Sequence, residues 1–310
     1  MNYNYDILII GAGPAGMTAA IYGQRAGYRT LMLEEAVYGG QMANTPEVEN
    51  YPAVGKISGA ELGMNLYNQA IEQGAQMEFD GVVSADLTGP VKSVTTQSGA
   101  TYTARAVIIA NGAKRRKLGI PGEEEYAGRG VSYCATCDGG FYKGKNTVVI
   151  GGGNTALEDA LYLANICERV HLIHRRDAFR GGKVLVDALL QKENIQVHYD
   201  TVPVEVLAGE DGKVAGLLVK NVKTGEQENL GVQGVFVAVG LVPDNKVFEG
   251  QVTLDPAGYI AAGEDCKTNL PGVFAAGDTR TKGVRQIVTA AGDGAVAAAE
   301  AGGYLMQSGN

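Results

Sequence analysis

Apolar residues arrive in short continuous runs closed by glycine-containing turns, and the runs form two matching series. Residues 5–35, YDILIIGAGPAGMTAAIYGQRAGYRTLMLEE, read as a buried strand, a Gly-rich turn, an Ala-rich helix and a second strand. From Asn146 the order repeats in NTVVIGGGNTALEDALYLANICERVHLIHRR. Each series continues into shorter alternating strands and closes on an apolar strand ending in glycine. In the first these are GVVSADL, VKSVTTQSG and ARAVIIANG, ending at Gly112. In the second they are IQVHYD, VPVEVLAG, VAGLLVKN and QGVFVAVG, ending at Gly240. The pattern predicts an α/β chain with two Rossmann-like three-layer nucleotide-binding domains, each with a small β insertion.

A later apolar strand, GVFAAGD, is the natural last strand of the first sheet. That makes the first domain discontinuous, 1–113 plus 245–310, with the second domain, 114–244, inserted into it. The seams GAKRRKLGIPG and GLVPDN contain Gly and Pro, as hinges do.

The two turns have dinucleotide-binding spacing. The first supplies Gly11, Gly13 and Gly16; the second supplies Gly151 and Gly153, then Asn154, Thr155 and Ala156. Such glycines let backbone approach a pyrophosphate, which sits on the following helix N-terminus. The residues closing the second strand separate the two sites. Glu34, followed by Glu35, offers carboxylate to ribose hydroxyls and repels a 2′-phosphate. At the matching place of the second unit stands His174, then Arg175, Arg176 and Arg180. Guanidinium groups there favour the 2′-phosphate of NADPH. A hydride donor requires an acceptor, so the acidic first site is expected to hold FAD.

Bulk numbers narrow the rest. The chain has 310 residues, enough for two domains of ordinary size. A formal net charge of −8 excludes a nucleic-acid surface built on net positive field. No apolar run reaches the ~20 residues of a membrane helix. The first residues lack the pattern of a secretory signal, so a cytoplasmic location is expected.

Four cysteines are present, and Cys134 and Cys137 form a Cys-x-x-Cys pair just before the second Gly-rich unit. Such a pair can bind metal, staple a loop or carry electrons. Zinc needs four ligands. Cys167 and Cys266 are single and read as packing residues. His171 and His174 are three apart in a predicted strand and so point to opposite faces, while His198 stands alone. No metal site is expected.

In GAGPAG, YGGQMANTPEVENYP, GRGVSYCATCDG, GGGNTALEDALYLA, HLIHRRDAFR, GVFAAGD and RQIVTAAGDG, the chain resembles the low-molecular-weight thioredoxin reductases from end to end. The resemblance implies FAD contacts at Gly39, Gly40, Gln41 and Asn50. It counts Gly277 among the FAD-binding residues, places Asp278 on the ribityl chain, and puts Arg285 with Gln286 near the flavin ring. It implies that Cys137 faces the flavin and Cys134 attacks thioredoxin, with Asp138 as the acid that protonates a departing thiolate. It further implies a homodimer, a rotation about the two seams, and a role for Arg129 in recognising thioredoxin. The same layout serves reductases of other disulfides. The intact GGGNTA and HRRDAFR disfavour a ferredoxin donor, and the lack of a thioredoxin-like N-terminal extension disfavours a peroxiredoxin-linked subunit. A redox-sensing flavoprotein is the alternative outside enzymes.

Overall fold

The computed structural model describes residues 3–45 and 47–308. The chain separates into two compact units, one built from residues up to Lys114 and from Val242 onward, the other from Arg115–Leu241.

Unit 1 opens with β1 (Tyr5–Ile10), α1 (Pro14–Arg25), β2 (Thr30–Glu34), α2 (Gly59–Glu72), β3 (Gln76–Phe79), β4 (Val82–Asp86), β5 (Lys92–Thr96) and β6 (Thr101–Ile109). A short strand, β7 (Ala113–Arg115), leads out of it. Unit 2 contains β8 (Val131–Ser132), α3 (Ala135–Asp138), β9 (Asn146–Ile150), α4 (Asn154–Ala164), β10 (Arg169–Ile173) and α5 (Lys183–Leu190). It continues through β11 (Ile195–His198), β12 (Thr201–Ala208), β13 (Val214–Asn221), β14 (Gln227–Leu230) and β15 (Gly234–Val237). The chain returns through β16 (Leu241–Pro243), which pairs with β7, and ends with β17 (Val273–Ala275) and α6 (Ile287–Gln307).

Period-two alternation on β1 divides unit 1 into three layers. Ile7 and Ile9 face α1, α2 and α6, whereas Leu8 and Ile10 face a second core with Val94, Phe248, Val252 and Ile260. The sheet order is β3-β2-β1-β6-β5-β4, and β17 lies parallel against the last residues of β6. The later apolar strand thus completes the first sheet.

Unit 2 repeats the plan. Its sheet, β11-β10-β9-β15-β8, is parallel throughout. Val149, Leu172 and Phe236 pack on α4, and Val148, Ile150 and Ile173 pack on the β12-β13-β14 meander. The two β insertions differ in attachment. In unit 1 the nine-residue β6 pairs with β5 through its first half and with β1 through its second, so the insertion is continuous with the main sheet. In unit 2 Gly231 and its neighbours interrupt the run between β14 and β15, and the meander forms a separate sheet.

Candidate functional site

The first Gly-rich turn closes tightly on itself. Gly11 has φ +102°, and a Cβ there would come 2.5 Å from the Ala110 carbonyl oxygen. A Cβ on Gly16 would lie 1.9 Å from the Gly11 carbonyl oxygen. At Gly13, which precedes α1, a Cβ would meet nothing within 4 Å. The loop is therefore glycine-dependent where it packs and open where a ligand phosphate would approach.

Glu34, at the end of β2, folds back on this loop. Its Oε2 accepts from the Ala12 N–H at 2.8 Å and its Oε1 from the Ala36 N–H at 3.2 Å. Glu35 points elsewhere and accepts a long bond from Gln97. The Gly39 N–H donates to the Ala12 carbonyl at 2.8 Å, and Gly40 lies against Gly13. Gln41, in the short turn that follows, is exposed. Asn50 Nδ2 donates to Gln286 Oε1 at 3.2 Å, joining residues 236 positions apart. Gly277, at φ +79°, sits so close to α1 that a Cβ would be 2.9 Å from that of Ala15, which brings the Asp278 turn to the Gly-rich loop.

Buried polar atoms at this end of the sheet, among them Asn111 Oδ1 and Arg285 Nε, have no hydrogen-bond partner. The Arg285 guanidinium stacks on Tyr259 at 4.2 Å. An open cradle at Gly13, a carboxylate at the second strand and unpartnered polar atoms fit a dinucleotide such as FAD.

The second loop is built alike, with one internal difference. Gly153 precedes α4 and opens onto free space, as Gly13 does. A Cβ on Gly152 would run into the His174 ring at 2.2 Å. His174 is buried beneath the loop, Nε2 lies 3.0 Å from the Ala178 carbonyl, and burial lowers its pKa. The Arg180 N–H donates to the Gly152 carbonyl at 2.8 Å, and the Gly182 N–H to Asn154 Oδ1 at 2.8 Å. These bonds hold residues 174–182 against the loop. Ala156 packs beneath Gly151, and Thr155 is exposed. Arg175, Arg176 and Arg180 are exposed, and none makes an ion pair with another described residue. Free guanidinium groups beside an open Gly-rich loop fit a phosphorylated dinucleotide such as NADPH.

Cys134 and Cys137 form a disulfide, with Cα atoms 5.3 Å apart. Cys134 caps α3, and Cys137 and Asp138 complete its single turn. Ser132, at the end of β8, organises the segment. Its hydroxyl donates to Asp138 Oδ2 at 2.6 Å and accepts from the Cys134 N–H at 3.1 Å. Asp138 Oδ1 is buried without a hydrogen-bond partner. Burial raises the Asp138 pKa, and the Ser132 bond and the Arg115 charge only partly oppose it. A buried carboxyl whose pKa is raised thus stands beside a disulfide. Tyr133 is fixed from both sides: its hydroxyl donates to buried Glu123 at 2.9 Å, and Arg115 stacks on its ring at 5.4 Å.

Cys167 and Cys266 are free and buried. Burial raises both thiols, that of Cys266 to about 12, which makes them poor nucleophiles. His198 does not stand alone, contrary to the expectation from sequence. Parallel pairing of β10 with β11 brings its Nε2 within 2.9 Å of His171 Nδ1. Among the described residues no three His, Cys, Asp or Glu side chains form a metal-ligand group. Arg129 donates to the Glu125 carbonyl and lies over Tyr126. Sequence reasoning missed Glu123, Asn111, Asn245 and Asp293, which carry no spacing motif and act through tertiary contacts.

Residues 5–294 match the family described as pyridine nucleotide-disulphide oxidoreductase. The chain is similar to thioredoxin reductase of Listeria monocytogenes, at 46% identity over 98% of this chain and 94% of that one. It is similar to thioredoxin reductase of Bacillus subtilis at 44% identity, covering 98% and 95%. Among solved structures, thioredoxin reductase from Streptococcus pyogenes superposes with a TM-score of 0.92 at 42% identity, covering 99% of this chain and 100% of that one.

Proposed function

Because this chain belongs to the pyridine nucleotide-disulphide oxidoreductase family, we propose that it is an NADPH-dependent thioredoxin-disulfide reductase. The observation that carries this reading is the Cys134–Cys137 disulfide beside a buried acid. Both lie in the unit whose Gly-rich loop is flanked by free arginines.

Unit 1 holds FAD through Gly11, Gly13, Gly16 and Glu34, with the 39–41 loop, Asn50, Asp278, Arg285 and Gln286 lining the site. Unit 2 holds NADPH through Gly151, Gly153, Asn154, Thr155 and Ala156, with Arg175, Arg176 and Arg180 on the 2′-phosphate. Together the two cofactors supply two electrons and a proton-coupled route to sulfur. Reduction opens the Cys134–Cys137 bond to two thiols. The Cys134 thiolate attacks the thioredoxin disulfide and forms a mixed disulfide. Cys137 then attacks Cys134, restores the internal disulfide and releases thioredoxin with two thiols. Asp138 protonates the departing thiolate, a role that its raised pKa favours. Ser132 holds both the acid and the Cys134 backbone, so acid and nucleophile keep one relative placement.

The protein works as a homodimer in the cytoplasm. Exposed apolar side chains on α1 and α6, Tyr22, Val288 and Val296, support association. Among the described residues no helix is long and apolar enough to cross a membrane, and the free thiols of Cys167 and Cys266 suit a reducing compartment.

The test is anaerobic addition of NADPH to the yellow protein, followed by a thioredoxin. Bleaching of the flavin and catalytic appearance of thioredoxin thiols are expected. Bleaching without turnover on any thioredoxin overturns the assigned substrate.

A further inference from the structure

Asp278 sits in the turn Gly277–Thr279, and both of its neighbours are tied down by buried side chains from other parts of the chain. On one side the Gly277 N–H donates to Asp293 Oδ2 at 2.9 Å. Asp293 lies in α6 and also takes Arg280 Nε at 2.8 Å, an Arg280 terminal nitrogen at 2.7 Å and Lys282 Nζ at 2.8 Å. On the other side Thr279 Oγ1 donates to Asn245 Oδ1 at 2.8 Å. Asn245 Nδ2 in turn donates to the Thr279 carbonyl at 3.2 Å and to that of Gly258 at 2.9 Å. Asn245, Thr279, Arg280 and Asp293 are all buried.

A carboxylate buried between two cations is a poor device for stability alone, because desolvation offsets most of the attraction. Its geometric effect is specific. It fixes Gly277 in a positive-φ conformation against Ala15, in the first turn of α1. Asn245 fixes the far side of the same turn and accepts from Asn111 Nδ2 at 3.3 Å, next to the Gly-rich loop. Asp278 is thus suspended between two anchors, and both anchors stand against the elements that form the nucleotide cradle.

The geometry points to Asp293 and Asn245 as positioning residues that hold the Asp278 turn at the FAD site, an inference that rests on reading unit 1 as that site. Neither residue touches the cofactor in this scheme; each acts through the backbone or hydroxyl of a neighbour of Asp278.

The experiment uses the full-length holoprotein with Asp293→Asn, Thr279→Val and Thr279→Ser. Three quantities are read: FAD release on dilution by flavin fluorescence, visible circular dichroism of the bound flavin, and NADPH affinity. Asp293→Asn and Thr279→Val should each raise the FAD dissociation constant roughly tenfold, as loss of one buried hydrogen bond does. Both should alter the visible dichroism and leave NADPH affinity unchanged. Thr279→Ser keeps the hydroxyl and should restore wild-type retention, which a general packing loss would not allow. If Asp293→Asn does not fold, the two Thr279 variants decide. A wild-type chain that takes up no FAD overturns the reading of unit 1 together with the inference. A wild-type chain that binds FAD while folded variants match it overturns the inference alone.

Discussion

Gly13→Ala and Gly153→Ala separate packing from ligand binding in a way few substitutions do. In both loops the glycine before the helix has an ordinary backbone conformation, with φ −77° at Gly13 and −95° at Gly153. A Cβ at either position would meet no protein atom within 4 Å. Each variant should therefore still fold, at a cost of about 0.5–1 kcal/mol because alanine is a poorer N-cap than glycine. The added methyl occupies the space through which backbone N–H groups reach a phosphate. Losing one charge-assisted hydrogen bond costs about 1.5–3 kcal/mol, or roughly 10- to 100-fold in affinity. Gly13→Ala should lose FAD affinity and keep NADPH affinity; Gly153→Ala should do the reverse. Gly16→Ala is the contrast, because its Cβ would lie 1.9 Å from a backbone oxygen. It should lower stability by about 1–3 kcal/mol, the cost of overpacking. The assay is flavin fluorescence on dilution, NADPH titration of flavin absorbance, and thermal unfolding of each variant. Wild-type cofactor affinities in well-folded Gly13→Ala and Gly153→Ala would refute the placement of both cofactors.

Cys134→Ser should keep flavin reduction by NADPH and lose thioredoxin reduction, measured as thiol release; retained turnover would reassign the outer nucleophile. Asp138→Asn should slow turnover by roughly 10²-fold or more. Because burial raises the Asp138 pKa, wild-type turnover should fall as pH rises through that value, and the variant should lack this limb in its pH–rate profile. Substituting Arg176 and Arg180 with methionine should weaken NADPH far more than NADH, narrowing the kcat/KM preference at least tenfold; an unchanged preference would remove them from the 2′-phosphate. Asp159, partly buried on α4 beside Glu158, has its pKa pushed up to about 7 from 3.8, first by burial and then by that neighbour. The carboxyl is ionised more readily when unfolded, so stability declines as pH rises from about 4 to 7. The decline has an upper limit of about 4 kcal/mol at ~1.4 kcal/mol per unit. Asp159→Asn should accordingly be more stable than wild type at pH 8 and close to it at pH 4, by thermal unfolding at each pH.

The local parts of both nucleotide sites were legible because they depend on near neighbours in sequence. A strand, a glycine turn and a helix N-terminus are set by residues within about a dozen positions. Glu34 and the arginines follow at the distance one helix and one strand require. The Cys134–Cys137 pair was visible for the same reason. What escaped notice lies in contacts that exist only once the chain has folded. His198 meets His171 only through strand register, and His174 reads as a ligand group until its ring is found beneath Gly152. Glu123 looks like one of several acids in a loop, yet it is buried and accepts from Leu118, Gly119 and Tyr133.

By itself the sequence determined the duplicated α/β plan, the acidic and basic characters of the two loops and the presence of a dithiol between them. Periodicity and short-range sterics suffice for these, since each arises within one strand–turn–helix unit. Tertiary structure alone decided how the pKa of the acid is raised and how the Asp278 turn is held. Burial of Asp138 and its bond to Ser132 depend on how β8 and α3 pack. The anchors Asn245 and Asp293 reach the turn from 34 and 16 residues away. Desolvation and long-range hydrogen bonds exist only after the chain has closed on itself, and no local pattern encodes them.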